Sequence, residues 1–366
     1  MSYRIAIAGL GEAARRIHLP AYEQIPDLWV VGGCDPAAKP EHFPFPLFAS
    51  VQEMMDRTKP DILAVLTPPD SHFPLVRLAL EGGCHVFCEK PFMNTLEEVD
   101  TIIVLSKKSG RQVAVNNQFR FMRIHRAAKE RIGTPEFGAL LFASMHQTFF
   151  VTEKTEAGWR GQDTKRTAKD FGTHVLDLCR YFFDEDPVSI TARMPKGKQP
   201  GGPGHLNLMQ LEFSQDRVAH ITLDRLSRGR HRYLDIRLDG EAACIETSLG
   251  GRLEARAGIR AMTRRPFLSL DLAMGGRARL FRGERPSILA RESLNVFAAA
   301  TAELMKAFLC ALEVKAVVPC NAVDNRRTLA LMLAAYESDE RRMPIAIRWS
   351  ACEDKNQPSG KMVVGR

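Results

Sequence analysis

Apolar residues recur along this chain in two rhythms, and the change of rhythm divides it. Up to about residue 121, short unbroken apolar runs alternate with segments of helical period. Tyr3 to Ala8, Leu28 to Cys34, Asp61 to Leu66, His85 to Cys88 and Gln112 to Val115 read as strands, and Ser50 to Arg57, Ser71 to Glu81 and Thr95 to Ser109 as helices. Such alternation predicts an α/β unit, a doubly wound parallel sheet with crossover helices. A basic helix from Met122 to Arg131 then leads into Gly133-Thr134-Pro135. Beyond it the period falls to two: Ala139 to Phe150, Val188 to Arg193, Leu206 to Phe213, Val218 to Leu226, Tyr233 to Leu238 and Cys244 to Thr247 alternate and are joined by turn-rich links. This half predicts an α+β unit with a mostly antiparallel open sheet covered by helices on one face. The expected domains are 1–121, 122–350 and a flexible tail at 351–366. The uncovered sheet face must be buried or solvated, and it predicts a homodimer or homotetramer formed through that sheet.

Length changes little in this picture, since 366 residues suit two domains of ordinary size. The net charge of +8 raises the question of nucleic acid. Ten arginines face three acidic residues between Arg252 and Arg291, but aromatics are sparse there and no helix-turn-helix or finger spacing appears. An acidic substrate, an oligomer contact or a solvated basic surface accounts for the charge, and nucleic acid is not the expected partner. No apolar stretch reaches transmembrane length, and Met1-Ser2 runs straight into a strand, so neither membrane nor export is expected. The eight cysteines include no Cys-x-x-Cys pair and several lie in apolar runs, which predicts buried free thiols in a reducing cytoplasm. Cys84, His85 and Cys88 fall on alternating strand faces, and no metal is expected.

Candidate chemistry gathers where the predicted strands end. Gly9-Leu10-Gly11-Glu12-Ala13-Ala14 matches G-x-G-x-x-A between a strand and a helix, the arrangement that lets backbone approach a pyrophosphate at a helix N-terminus. Asp35 ends the next strand, near the expected place for a carboxylate on the adenosine ribose. After the third strand, Thr67-Pro68-Pro69 is an extended loop fit to wall the nicotinamide ribose; it also reads as a helix entry capped by Asp70 or Ser71 with His72 in the first turn. The fourth strand delivers Glu89 and Lys90 to its carboxyl end before Pro91. Gln118 lies in the polar exit of the fifth. In the second half, Phe171, Val175, Leu178 and Phe182 form one helical stripe, and Asp170, His174, Asp177 and Tyr181 another. That spacing predicts that Asp170 orients or charge-balances His174 one turn away.

Together, the glycine loop, Thr67-Pro68-Pro69, Glu89-Lys90-Pro91, Arg120-Phe121, Asp170-x-Gly172-x-His174-x-x-Asp177 and the late helix from Thr328 to Ser338 resemble the Gfo/Idh/MocA family of NAD(P)-dependent oxidoreductases, over most of the chain. The resemblance implies that a nicotinamide dinucleotide is bound by Gly9, Leu10, Gly11, Ala13, Ala14, Asp35, Thr67, Pro68, Pro69, His72, Glu89, Lys90 and Gln118, and Asp35 followed by Pro36, which should accept a ribose hydroxyl and repel a 2′-phosphate, favours NAD over NADP. It implies that Lys90, His174 and Asp170 are catalytic, with hydride passing between a secondary alcohol of a sugar, cyclitol or related polyol and the nicotinamide. Members commonly carry a glycine-rich run before the Asp-x-Gly-x-His helix, where this chain has Lys165, Arg166 and Lys169. Those cations suggest an anionic substrate, with Arg120, Lys165, Arg166 and Asp177 as its contacts. An NAD-dependent glycosidase and a non-catalytic dinucleotide-sensing regulator are the alternatives within the resemblance, and retention of both Lys90 and His174 argues against the second.

Overall fold

Strands too short and too apolar to tolerate water on either face must be covered on both, and the first sheet shows how. In the computed structural model, which describes residues 1–150, 165, 167–195, 204–228, 233–259, 264–273, 275–283 and 286–349, five parallel strands stand in the order β2-β1-β3-β4-β5. They are β1 (Tyr3–Ala8), β2 (Leu28–Cys34), β3 (Ile62–Val65), β4 (His85–Cys88) and β5 (Val113–Val115). Every residue of β3 is buried. The crossovers include α2 (Val51–Thr58), α3 (His72–Glu81) and α4 (Leu96–Ser109). The ends of α4 are written in the sequence: Thr95 and Glu98 close a capping box and Gly110 takes a left-handed φ of 65°. Strand order reverses between β1 and β3, so the crevice outside their carboxyl ends is the place for a ligand.

The second sheet has nine strands in the order β15-β14-β11-β10-β6-β9-β8-β7-β16. The chain-order ranges are β6 (Leu140–Thr148), β7 (Ser189–Arg193), β8 (Leu206–Glu212), β9 (Val218–Asp224), β10 (Leu234–Gly240), β11 (Cys244–Leu249), β14 (Gly276–Phe281), β15 (Ser287–Glu292) and β16 (Ile345–Ala346). Among the described residues of this sheet only β6 and β9 pair in parallel. Strict alternation of buried and exposed residues in β8 shows one covered and one open face. The arginine-rich stretch, which alternation left without strands, contains β14 and β15 and a separate hairpin of β12 (Arg252–Ile259) and β13 (Pro266–Ala273). In β14 the buried residues include Ala278 and, on the opposite face, Arg277, too weak an apolar signal to register as a strand.

Helix α1 (Leu19–Tyr22) continues a π-turn at Ala14–His18, and α5 (Arg123–Lys129) opens the second unit. Helix α6 (Thr173–Phe183) packs on the covered face of the second sheet, through Cys179 against Met145 at 3.7 Å. Helices α7 (Val296–Glu313) and α8 (Ala322–Arg341) return to the first sheet. The Cys320 carbonyl accepts the Val115 N–H at 2.9 Å, Asn321 bridges Ala114, and Arg326 pairs with Asp100 of α4 at 2.6 Å. Residues expected to belong wholly to the second unit therefore close the open edge of β5. The expected tail at 351–366 lies outside the described residues. Among the described residues the cysteines are free, and no helix is long and apolar enough to cross a membrane.

Candidate active site

The carboxyl ends of β1 and β3 nearly touch. Gly9 holds a φ of 93°, and a Cβ there would come within 2.8 Å of the Leu66 and Thr67 backbone, so only glycine fits. Gly11 has nothing within 4 Å of its would-be Cβ and leaves the loop open toward the crevice. Asp35 anchors the loop: one carboxylate oxygen accepts the Leu10 N–H at 2.7 Å and the other the Ala37 N–H at 2.8 Å. Ala13 already has helical backbone and Ala14 is buried at the start of the π-turn. Pro68 is extended and Pro69 begins a 3-10 turn into α3. Neither Asp70 nor Ser71 caps α3 with its side chain; Asp70 instead accepts Asn94 Nδ2 at 2.9 Å. His72 departs from its expected place at the cofactor. It is fully buried, with Nδ1 3.0 Å from the Pro91 carbonyl and 3.1 Å from that of Phe92, and Nε2 2.9 Å from the Thr67 carbonyl. The ring is wedged between carbonyls of the Thr67 loop and of the turn after Lys90, and, since burial favours its neutral form, its single N–H donates to one of the two sides.

Glu89 likewise turns inward. Its Oε1 accepts Asn116 Nδ2 at 2.8 Å and lies 2.7 Å from His18 Nε2, while Oε2 accepts the Lys90 N–H at 3.1 Å. His18 continues the chain through Nδ1 to the Tyr22 hydroxyl at 3.0 Å. Burial pushes the Glu89 carboxyl up, but the His18 hydrogen bond and charge, with Lys90 and Asn116, hold it down to about 2. Glu89 is therefore a buried anion beneath Lys90 rather than a surface contact for cofactor. Asn116 belongs to the polar run at the exit of β5, whereas His18 escaped sequence reasoning, because one polar residue in a buried turn has no periodic signature. Lys90 itself emerges from a cis Lys90–Pro91 peptide, and its Nζ donates to the Asp170 carbonyl at 2.9 Å, crossing from the first sheet to the second unit.

The segment that carries Asp170 is a π-turn, Ala168–Gly172. Its wider turn breaks the i, i+4 alignment that would place Asp170 under His174. The His174 Nδ1 is buried without a hydrogen-bond partner, so Asp170 does not orient the ring by hydrogen bonding as expected. The ring is instead stacked on Phe119, with centroids 4.0 Å apart and planes within 2°. Burial pushes the His174 pKa well below the ordinary histidine value, the nearby Lys90 charge pushes it further, and Glu89 opposes. A neutral imidazole and the Lys90 side chain are thus close enough to interact electrostatically. Thr67 Oγ1, after β3, and Gln118 Oε1, after β5, are buried polar atoms without protein partners.

Residues 3–117 match the family model described as "Oxidoreductase family, NAD-binding Rossmann fold", and residues 125–246 match the "GFO/IDH/MocA C-terminal domain". The chain belongs to the Gfo/Idh/MocA family. It is similar to a D-glucoside 3-dehydrogenase of Escherichia coli, 27% identical over 190 residues that cover 49% of this chain and 53% of that relative. It is 26% identical to a D-apiose dehydrogenase of Paraburkholderia graminis over 194 residues, half of each chain. The chain thus spans about half the length of these curated relatives. In fold it resembles an oxidoreductase from Agrobacterium radiobacter solved in complex with NAD+, L-tartaric acid and magnesium, with a TM-score of 0.77 at 16% identity over 94% of this chain and 98% of that one.

In this Gfo/Idh/MocA protein, two of the residues expected to touch substrate are committed elsewhere. Arg120 grips Asp177 with two hydrogen bonds, at 2.7 and 2.6 Å, and reaches Asp324 at 2.9 Å. Asp324 also meets Arg180 at 2.8 Å, and Asn117 bridges Asp177 at 3.0 Å to Asn325 at 2.9 Å. Arg120 and Arg180 hold the Asp324 carboxyl at about 2 against its burial. This buried lock joins the turn after β5, α6 and α8 and pairs Arg120 with Asp177 rather than leaving either side chain open. Lys165 also departs from expectation, since its Nζ lies 4.7 Å over the Tyr336 ring and 3.5 Å from Glu340 on α8. Arg166 lies outside the described residues. Among the described residues no cluster of His, Cys, Asp and Glu is placed to hold a metal.

Proposed function

We propose that the protein is an NAD-dependent dehydrogenase that reversibly oxidises a secondary alcohol of a sugar, cyclitol or related polyol to a ketone. The observation that carries this reading is that Lys90, at the carboxyl end of a parallel strand, donates to the Asp170 carbonyl and lies near enough to the buried, neutral His174 to depress its pKa. Bound NAD would supply the hydride acceptor. The residues present fit it: Gly9 allows the tight turn against β3, Gly11 leaves the loop open at a helix start, Asp35 stands beside it for the adenosine ribose, and the buried Thr67 Oγ1 and Gln118 Oε1, without protein partners, suit the nicotinamide end. His174 is the base for the hydroxyl proton, because burial keeps it unprotonated at neutral pH. The Lys90 ammonium has three donors and spends one on the Asp170 carbonyl, which aims the rest at the substrate oxygen and favours alkoxide character. Asp170 is thereby a positioning residue for Lys90. The names of the relatives, dehydrogenases of a glucoside and of apiose, support the substrate class. The test is a screen of sugars and polyols for NADH formation by the purified protein.

Cofactor choice follows from Asp35, whose carboxylate would repel a 2′-phosphate. NAD is expected to bind at least about tenfold more tightly than NADP, a difference of roughly 1.4 kcal/mol. Titration of both cofactors checks this, and tighter binding of NADP would overturn it. The open face of the second sheet, which exposes Leu208 between polar residues, is proposed to pair two copies. Light scattering at micromolar concentration is expected to give a dimer or tetramer, and a monomer would refute the pairing.

A further inference from the structure

We infer that Gln147 is a specificity-determining residue, which reads two neighbouring hydroxyls of a polyhydroxylated substrate beside His174. The inference rests on the dehydrogenase reading for its reaction but on separate geometry for its site.

On β6 the residues Ala143, Met145 and Gln147 face the covered side of the sheet. Met145 packs on Cys179 of α6, and Gln147 lies two residues farther along, toward the end that carries His174. Its neighbours in the ladder are Leu223 of β9 and Leu234 of β10, both buried and apolar. A Cβ on Gly172, two residues before His174, would come 3.3 Å from Leu223, so the start of α6 sits directly over this row. Tyr233 adjoins it, with ring centroids 6.3 Å from Phe119, which stacks on His174, and 6.4 Å from Phe171. Burial pushes the Tyr233 phenol up, the Asp170 charge adds to this, and the Gln147 amide opposes it. Gln147, Tyr233, Asp170 and His174 thus lie in one neighbourhood at the start of α6.

Gln147 is 2% exposed; its amide lies beside the Tyr233 phenol and holds its pKa down, yet neither its Oε1 nor its Nε2 comes within close hydrogen-bond geometry of a protein group. A buried carboxamide left unpaired destabilises the fold, and a leucine of similar size would fill the same space without that cost. The group makes physical sense when a ligand satisfies it. A carboxamide accepts at one end and donates at the other, and two adjacent hydroxyls offer the matching donor and acceptor. A substrate with a single hydroxyl would leave one end unpaired, the situation in which a polar pocket rejects most strongly.

The experiment compares wild type with Gln147→Leu, both saturated with NAD, using myo-inositol, D-glucose and the monohydroxylated cyclohexanol as probes. Thermal melting and NADH formation are read together. Wild type is expected to melt higher with a polyol but not with cyclohexanol. The variant is expected to melt no lower than wild type without ligand, to lose the polyol shift, and to raise KM at least about tenfold while kcat changes by less than about threefold. Gln147→Asn, which keeps the amide, should recover part of the shift. An unchanged polyol shift and KM in Gln147→Leu would overturn the inference, as would a wild type that no polyol stabilises. A sharp fall in melting temperature with unchanged KM would assign Gln147 to packing and also overturn it. A polyol that stabilises wild type but not the variant, with no NADH formed, would leave Gln147 as a hydroxyl reader and sink the dehydrogenase reading instead.

Discussion

Lys90→Met and His174→Ala are each expected to lower turnover by about two to four orders of magnitude, the loss typical of removing a general base or its electrostatic partner. Neither should disturb NAD binding, because Gly9, Gly11 and Asp35 lie at the other end of the crevice. The pH dependence has a definite sign. His174 works as a base only when neutral, and burial with the Lys90 charge holds its pKa well below the ordinary value. Activity should therefore persist as pH falls through about 6.5 and fail only at lower pH. Lys90→Met removes one of the charges that depress His174, so the acid limb of its residual activity should move upward. The same depressed pKa means that His174 favours the fold fully above about 6.5 and withdraws that support as pH falls below it. Turnover, NAD affinity and melting temperature measured together separate these effects. Wild-type turnover in either variant would remove both residues from the chemistry.

Arg120→Met is expected to cost about 3–5 kcal/mol of stability, the penalty for stripping one partner from a buried ion pair. Asp177 would be left in the core, with its carboxylate supported only by Asn117 and Thr328, and Asp324 would keep Arg180 alone. Urea unfolding should show the loss. Replacing Arg120 and Asp177 together by apolar residues should cost less than the sum of the single changes, since no uncompensated charge remains between them. A loss under about 1 kcal/mol for Arg120→Met would mean that solvent screens the lock.

How much of this was legible follows from where each residue's neighbours lie. The parallel strands, the capping box at Thr95 and Glu98, the glycine loop and Asp35 are local features, and local pattern places them. His174 was assigned to a polar stripe, yet it is buried, because Phe119 from the turn after β5 covers that side of α6. Asp170 was aligned with His174 on a 3.6-residue period that the π-turn does not keep. The commitments of Glu89, His72, Arg120 and Asp177 are contacts between segments far apart in the chain, and spacing carries no trace of them. Gln147 is a single polar residue on an otherwise apolar strand face, and its significance depends on which helix lies over it.

The central claim is that hydride passes between a substrate carbon and NAD in the cleft beside Lys90 and His174. The most direct measurement starts from a polyol that yields NADH with wild type, deuterated at the carbon oxidised, and reads the mass of the reduced nicotinamide. The account predicts deuterium in the nicotinamide with wild type and almost none with Lys90→Met under the same conditions. Reduced nicotinamide free of deuterium, or equal transfer by the variant, would contradict it.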